Sequence, residues 1–410
     1  MNEERLNRQL MIDGWNQKKL DQSKIRIVGD NERLISLYAL SSAALGIGSQ
    51  RIIAPSLDKK LINIAGNLTE QLDLSHVKGY MTNPEVSNIF SESDLTVLMI
   101  SYSLAEKIIL NKSQGKSKVL IAHTNDEGLE LFTYKPGREW AELEQIISKQ
   151  SFPHKYTSDP VIDIIASGIA LEETKRELMN NKSSESIITY KRPVLNDYPL
   201  NQKILVVGAG ALGNMVGLGL AYSGFKDITF MDPDIAEITN LNRQILLYAG
   251  VDKNKSETLA LELKSLFGIK PRAIVGYLRA KTNISKYDVV FDCVDNFESR
   301  IVMSEKCKQE KKILISGGTN IEAGQVITYV PEQKMKTPAE FLELYKIVND
   351  RKKEYKRERA SCVYRPDPSV IMTNQIIGGF MVDSYRRILS GDKPIKVFYE
   401  SNSDSKIEVV

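Results

Sequence analysis

Short apolar runs alternate with helix-period stretches along the chain, and the alternation repeats. From Lys24 it reads "KIRIVGDNERLISLYALSSAALGIGSQRIIAPS", and from Lys203 "KILVVGAGALGNMVGLGLAYSGFKDITFMDPD". Each is a basic residue, a buried strand, a glycine, a helix, a glycine-containing turn and a second buried strand. The first strand of each is short and largely β-branched, as a parallel strand covered on both faces should be. "SDLTVLMISYS" at Ser93 parallels "YDVVFDCVDNF" at Tyr287, and "KVLIAHTNDEGLELFTYKPG" at Lys118 parallels "KILISGGTNIEAGQVITYVPE" at Lys312. A weaker pair is "VIDIIASGIALEETKREL" and "SVIMTNQIIGGFMVDSYRRIL". Four matched segments in one order imply a duplication. The pattern predicts an α/β protein of two tandem halves, each with a mostly parallel sheet. The break falls within residues 180–200, where "NNKSSES" is polar and two prolines follow, giving domains 1–185 and 186–410.

The halves differ where chemistry would sit. The second has G-x-G-x-x-G at Gly208, Gly210 and Gly213, between a strand and a helix; the first keeps Gly29 and has Asn31 and Leu34 at the other positions. The second ends its next strand with Asp232, against Ala54, and has Asp292 and Asp295 against Leu98 and Ser101. The first half keeps the apolar pattern and lacks the polar constellation, as expected of a half retained as scaffold.

A glycine-rich strand-to-helix turn lets backbone N–H groups approach phosphate oxygens at the positive end of a helix. Asp232, 19 positions after Gly213, is placed for ribose hydroxyls. On these residues alone a nicotinamide or flavin oxidoreductase stands level with any other nucleotide enzyme. "FMDPDIAEITNLNRQILL" from Phe230 tilts the balance. A hydride-transfer site has little use for an arginine, a glutamine and several asparagines there, whereas a triphosphate site does. Arg243 can take phosphate oxygens in a planar fork. Lys255 adds a cation at the start of a predicted helix. Asp295 follows a third buried strand, and a carboxylate facing a polyphosphate makes sense if it holds Mg²⁺.

Composition narrows the classes. The chain has 410 residues, is 42% hydrophobic, and carries 55 basic against 52 acidic residues, which gives no electrostatic case for nucleic-acid binding. Cys293, Cys307 and Cys362 form no CxxC pair, against a disulfide scaffold or the usual zinc clip. The N-terminus lacks an apolar signal core and no apolar run approaches membrane-spanning length, so a soluble cytoplasmic chain is expected. Of the histidines, His76, His123 and His154, none falls in the second half, which leaves that half without a histidine base.

"GAGALG", "MDPDIAEITNLNRQ", "DKNK" and "DCVDN", in that order and spacing, closely resemble the motifs of the ThiF/MoeB superfamily, which includes the ubiquitin-activating enzymes. The resemblance covers essentially the whole chain, the first half looking like an inactive copy of the same domain. It implies two Rossmann-like ThiF-type domains joined as an intramolecular pseudo-dimer. It also implies ATP- and Mg²⁺-dependent adenylation of the C-terminal carboxylate of a small ubiquitin-like or sulfur-carrier protein, or of a peptide, with a glycine-type tail. By the same resemblance Gly208, Gly210 and Gly213 line the nucleotide, Asp232 binds ribose, Asn240, Arg243 and Lys255 contact phosphates, and Asp295 carries Mg²⁺.

"RLNRQ" at residues 5–9 resembles the family's R-x-x-R-Q motif, whose second arginine, here Arg8, reaches into a partner's active site. Only the first half is preceded by it, so one half would lend the arginine and the other the nucleotide site. Cys362, in "RASCVYRPDPSV", falls where sulfur-carrier activators place the cysteine that is linked covalently to the activated partner; Arg359 and Arg365 could lower its thiol pKa. Asp292 is expected to orient its loop, and Arg300 either to bind the substrate tail or to pair with an acid. The zinc cysteines of the bacterial type and a large separate catalytic-cysteine domain are both missing. The readings from other classes are a nicotinamide-dependent oxidoreductase and a non-catalytic docking scaffold; within the class, a ribosomal peptide of an antibiotic pathway is the alternative substrate.

Overall fold

Two sheets with a common strand order organise the chain, in a computed structural model that describes residues 2–54, 56–69, 72–75, 93–99, 118–134, 158–181, 184, 186–357 and 368–410. The first half contributes α1 (Asn2–Leu10), α2 (Gln17–Gln22), β1 (Lys24–Gly29), α3 (Glu32–Leu45), β2 (Ser49–Ile53), α4 (Lys59–Leu68), β3 (Leu72–Ser75), β4 (Leu95–Met99), β5 (Val119–Asn125), β6 (Gly128–Tyr134), α5 (Pro160–Leu178) and β7 (Ile188–Lys191). The second contributes β8 (Ile204–Val207), α6 (Ala211–Tyr222), β9 (Ile228–Met231), α7 (Lys255–Phe267), β10 (Arg272–Ile274), β11 (Val289–Asp292), α8 (Phe297–Gln309), β12 (Ile313–Thr319), β13 (Ala323–Tyr329), α9 (Pro338–Phe341), α10 (Leu344–Arg357), α11 (Ile371–Leu389), β14 (Lys396–Glu400) and β15 (Ile407–Val409).

The orders are β3-β2-β1-β4-β5-β6-β7 and β10-β9-β8-β11-β12-β13-β14-β15. In both, the first five strands run parallel and the rest return antiparallel. The fold is thus α/β with mostly parallel mixed sheets. β7 pairs with β6, so the chain leaves the first sheet after Lys191, slightly later than residue 185. The registers carry the correspondence read from sequence. Val28 pairs with Leu98 and Val207 with Asp292, which puts a leucine where the second sheet has a carboxylate.

One continuous apolar core runs through both sheets. At its centre α5 and α11, 19 residues each, pack against one another. The ninth residue of each is a glycine. A Cβ on Gly168 would lie 2.8 Å from Ile376 Cγ1, and one on Gly379 2.5 Å from Ile165 Cγ1. The absent side chains let the helices approach this closely. The fourth residues also correspond: Thr124 Oγ1 donates to Asp163 Oδ1 at 2.6 Å, and Thr319 Oγ1 donates to Asn374 Oδ1 at 3.2 Å.

Polar contacts join the two halves at both ends of this crossing. Gln375 Oε1 accepts from Ser41 Oγ at 2.8 Å, and Gln375 Nε2 donates to Ser167 Oγ at 2.5 Å. Asp159, the N-cap of α5, accepts Arg386 in a fork at 2.8 and 2.6 Å, and Arg192 at 2.7 Å. Burial pushes the Asp159 carboxyl up, but Arg386 and Arg192 outweigh it and hold the pKa at about 2. A cleft of about 380 Å³ opens beside this cluster, between Asp126, Tyr198 and Arg386. Among the described residues no helix is long and apolar enough to cross a membrane.

Candidate active site

The second sheet reverses strand order at β8, which lies between β9 and β11, and open α/β sheets bind ligands at the carboxyl ends of the strands at such a point. Gly208, just past β8, has φ +96°, a conformation that L side chains avoid, and a Cβ there would meet Cys293 O at 2.6 Å. A Cβ on Gly213 would stand 2.0 Å from Gly208 O, so this glycine sets how closely α6 sits against the turn. Gly210 is the N-cap of α6 and no side chain caps it. Asn214, fully buried and not anticipated from sequence, ties the turn to the following stretch. Its Nδ2 donates to Ala209 O and Gly210 O at 3.0 and 2.8 Å, and its Oδ1 accepts the Leu246 N–H at 2.9 Å.

Asp232 follows β9 and is buried beneath the turn. Its oxygens accept the N–H groups of Ala209 at 2.7 Å and Asp234 at 2.8 Å. Burial raises its pKa, against those two hydrogen bonds and the Lys255 charge. Lys255 opens α7 behind the N-cap Asn254, and its Nζ lies 3.1 Å from Asp234 Oδ2. Glu237 and Asn240 close a capping box around a 3₁₀ turn, in which Asn240 Oδ1 accepts the Glu237 N–H at 3.1 Å. That oxygen is committed to the turn, so any phosphate contact by Asn240 falls to its NH₂ group.

Arg243, only 8% exposed, is aimed by Nη1, which donates to Thr239 O at 3.1 Å and Asn242 Oδ1 at 2.7 Å. Its pKa falls to about 10, mainly through burial and next through the charge of Arg8, while Asp295 and Glu237 act the other way. The charges of Arg8, Asp295 and Glu237 thus all act on the Arg243 guanidinium. Two arginine charges together are costly unless an anion joins them.

The packing of α1 shows how Arg8 gets there. Arg5 donates to Ala44 O and, at 3.2 Å, to Ala43 O; Gln9 Nε2 donates to Leu45 O at 2.8 Å. These are the last carbonyls of α3; Ala43 O also accepts the Gly46 N–H at 3.1 Å. Gln9 Oε1 then accepts Asn242 Nδ2 at 3.2 Å. Arg5 and Gln9, one turn apart, clamp α1 between α3 and the "NLNRQ" stretch. Neither clamp was anticipated, since both partners are backbone or distant in sequence.

The matching place in the first half is filled from within. Asn31 Nδ2 donates to Asp163 Oδ1 at 2.9 Å and Arg33 Nε to Asp163 Oδ2 at 2.8 Å, around a fully buried carboxyl whose pKa burial raises.

Asp292 is wholly buried, accepting Ser316 Oγ at 2.6 Å and the Val294 N–H at 3.3 Å; it orients its loop, as expected. Arg300 donates to Val294 O at 2.7 Å, and its charge acts against the burial that raises the Asp292 pKa. Cys293 and Cys307 are buried, and burial pushes their thiols up, Cys307 to about 12. His123 is buried on β5, and burial brings its pKa down to about 4. Cys362, Arg359, Arg365, Ser101, His76 and His154 lie outside the described residues. Asp295 is exposed, and among the described residues no three His, Cys, Asp or Glu side chains cluster to hold a metal.

A profile described as the ThiF family matches residues 198–406, which is half of the chain and contains the whole glycine-turn site. The chain belongs to the ThiF family. Among curated relatives, the adenylyltransferase and sulfurtransferase MOCS3 of Drosophila yakuba is 30% identical over 210 residues, 47% of this chain and 46% of that protein. A probable molybdopterin-synthase adenylyltransferase of Porphyra purpurea is 37% identical over 133 residues, covering 31% and 34%. A molybdopterin-synthase adenylyltransferase of Haemophilus influenzae is 31% identical over 152 residues, covering 35% and 61%. This ThiF-family chain thus spans less than two thirds of the length of each. Among solved structures, E. coli MccB with ATP is 21% identical with a TM-score of 0.41, over 52% of this chain and 64% of that one.

Proposed function

We propose that this ThiF-family chain is an ATP-dependent adenylyltransferase. Its substrate is the C-terminal carboxylate of a small ubiquitin-like or sulfur-carrier β-grasp protein with a glycine-type tail. The observation that carries the reading is the link from α1, ahead of the first sheet, through Gln9 and Asn242 to the buried Arg243 of the second. The relatives' printed names, adenylyltransferases, support the same chemistry.

In this reading ATP lies along the glycine turn, with Gly208, Gly210 and Gly213 at its phosphates and Asp232 at the ribose. Asn240, Arg243 and Lys255 hold phosphate oxygens. A carboxylate oxygen of the tail forms a bond to the α-phosphorus. The bond from that phosphorus to the bridging oxygen breaks, and pyrophosphate leaves with the electron pair. The attacking group is already ionised, so positioning and charge neutralisation do the work that a base does elsewhere. Arg8 and Arg243, whose mutual repulsion is relieved by an anion, gain most as charge builds on the leaving group. Asp295 fits Mg²⁺, since one exposed carboxylate plus substrate phosphates is the usual set for that ion. Bound there, Mg²⁺ would neutralise phosphate charge.

The two sheets act in this reading as two ThiF-like units in an intramolecular pseudo-dimer: residues 1–185 with the added strand β7 as the inactive unit, and the rest of the chain as the nucleotide unit. Cys362 is the proposed acceptor of the activated tail, and the cytoplasm, with its ATP, the proposed location. The test measures ATP binding with Mg²⁺ and ATP–pyrophosphate exchange with candidate tails. Exchange that needs a tail with a free carboxylate supports adenylation; absence of ATP affinity, or NAD(H) binding in its place, overturns it.

A further inference from the structure

Gln244 sits beside Arg243 with 5% of its surface exposed, and its Oε1 is buried with no hydrogen-bond partner. Its backbone is committed, the N–H to Asn240 O at 2.8 Å and the C=O to Leu247 N at 3.0 Å, so only the side chain is open. The carboxamide leans on the glycine turn, with Nε2 at 3.7 Å from where a Cβ on Gly210 would stand. A buried acceptor left unpaired is costly, and such a group in a site calls for a ligand that completes it. An acceptor oxygen cannot pair with phosphate, which offers only acceptors. The ribose hydroxyls fall to Asp232, under the far side of the turn.

We infer that Gln244 reads the backbone amide of the incoming tail: Oε1 accepts the N–H of the substrate's last residue, while Nε2 faces the phosphate side. This rests on the adenylation reading above and narrows its substrate class to chains that carry a peptide N–H next to the terminal carboxylate. The spacing suits it. The amide nitrogen and the carboxylate oxygens of one residue are roughly 3 Å apart by standard bond lengths. A group that touches that N–H therefore also fixes the attacking oxygen beside the α-phosphorus. Lactate-type and ester-linked ends lack the donor and set an ester oxygen against Oε1.

The test uses the full-length protein and two synthetic tails ending in Gly-Gly, identical except that in one the last amide N–H is replaced by an ester oxygen. Pyrophosphate exchange is measured for the wild type, Gln244→Met and Gln244→Glu. The ratio of amide to ester rates within one preparation does not depend on how much of it is folded. A ratio of about ten to a hundred is expected for the wild type, falling to near one in Gln244→Met and retained in Gln244→Glu, which keeps an acceptor. ATP is kept saturating for each variant, so that the weaker nucleotide affinity expected of Gln244→Glu, whose charge would face the phosphates, does not enter the ratio. A wild-type ratio near one, or a ratio that survives in Gln244→Met, overturns the inference and leaves adenylation standing. Absence of exchange with either tail in the wild type overturns the adenylation reading and this inference with it.

Discussion

Gln9 and Asn242, 233 positions apart, share a buried hydrogen bond of 3.2 Å, and Asn242 in turn holds Arg243 at 2.7 Å. The N-terminal helix is thus wired, through two side-chain amides, to the arginine that the site is built around. Gln9→Ala is expected to lower adenylation about tenfold with little change in ATP affinity, because it loosens the placement of Arg8 without removing a phosphate ligand. Equal loss of ATP binding and of rate, measured by titration and by exchange, would show that α1 only supports the fold.

Arg8→Ala should lower the adenylation rate by one to two orders of magnitude, about 1.4–2.8 kcal/mol of transition-state stabilisation. ATP affinity should fall less, because a charge that meets phosphate mainly as pyrophosphate departs acts on the barrier. Single-turnover exchange beside ATP titration separates the two, and an unchanged rate would remove Arg8 from the site.

Asp295 is exposed, so Asp295→Ala should leave thermal stability within about 0.5 kcal/mol of wild type. Pyrophosphate exchange should be abolished at any Mg²⁺ concentration near physiological. Exchange at the wild-type rate would place the metal elsewhere.

Asp159 anchors Arg386 and Arg192 between the two halves, and its carboxyl is held near pH 2. A depressed carboxyl contributes stability that is fully present above the unfolded value near 4 and is lost as pH falls toward 2. Acid unfolding monitored by circular dichroism should therefore steepen in that window, and the Asp159→Asn variant should lose the extra steepness. At neutral pH the variant should be destabilised by about 3–5 kcal/mol, since buried Arg386 loses its forked carboxylate and Arg192 keeps only Asp383, at 3.0 Å.

Cys362→Ser is expected to leave pyrophosphate exchange intact and to stop covalent transfer of the tail to the chain. Adenylation needs no thiol, whereas a thioester or acyl-disulfide does. A thiol-sensitive adduct that persists in the Ser variant, read on a gel, would assign the acceptor elsewhere.

The sheets and the glycine turn were legible because each rests on local chemistry. Buried parallel strands demand apolar runs, and Gly208 and Gly213 stand where a side chain would collide with backbone. Even the correspondence of Leu98 with Asp292 survives in the strand registers. What escaped notice depends on partners far off in sequence. Asn214 matters because Leu246 comes back to it, Gln9 because α3 ends beside it, and Asp159 because Arg386 reaches it from another helix. Polar residues of this kind look like ordinary surface until the fold is known. β7 was cut from its sheet for a related reason: "ITYK" is too short to announce itself beside two prolines.

The crossing of α5 and α11 at Gly168 and Gly379 has an evolutionary reach. When two copies of one polypeptide meet through such helices, every substitution is made twice, and a change that helps one side must be tolerated by the other. Joined in a single chain, each position mutates once. Asp163 and Asn374 hold the same station on their helices, yet one is a buried carboxylate gripping Arg33 and the other a neutral amide. In the proposed pseudo-dimer the two sides can specialise independently, and a rate measured per molecule should not drop on dilution to nanomolar protein, because the two sides would stay at a fixed, high effective concentration.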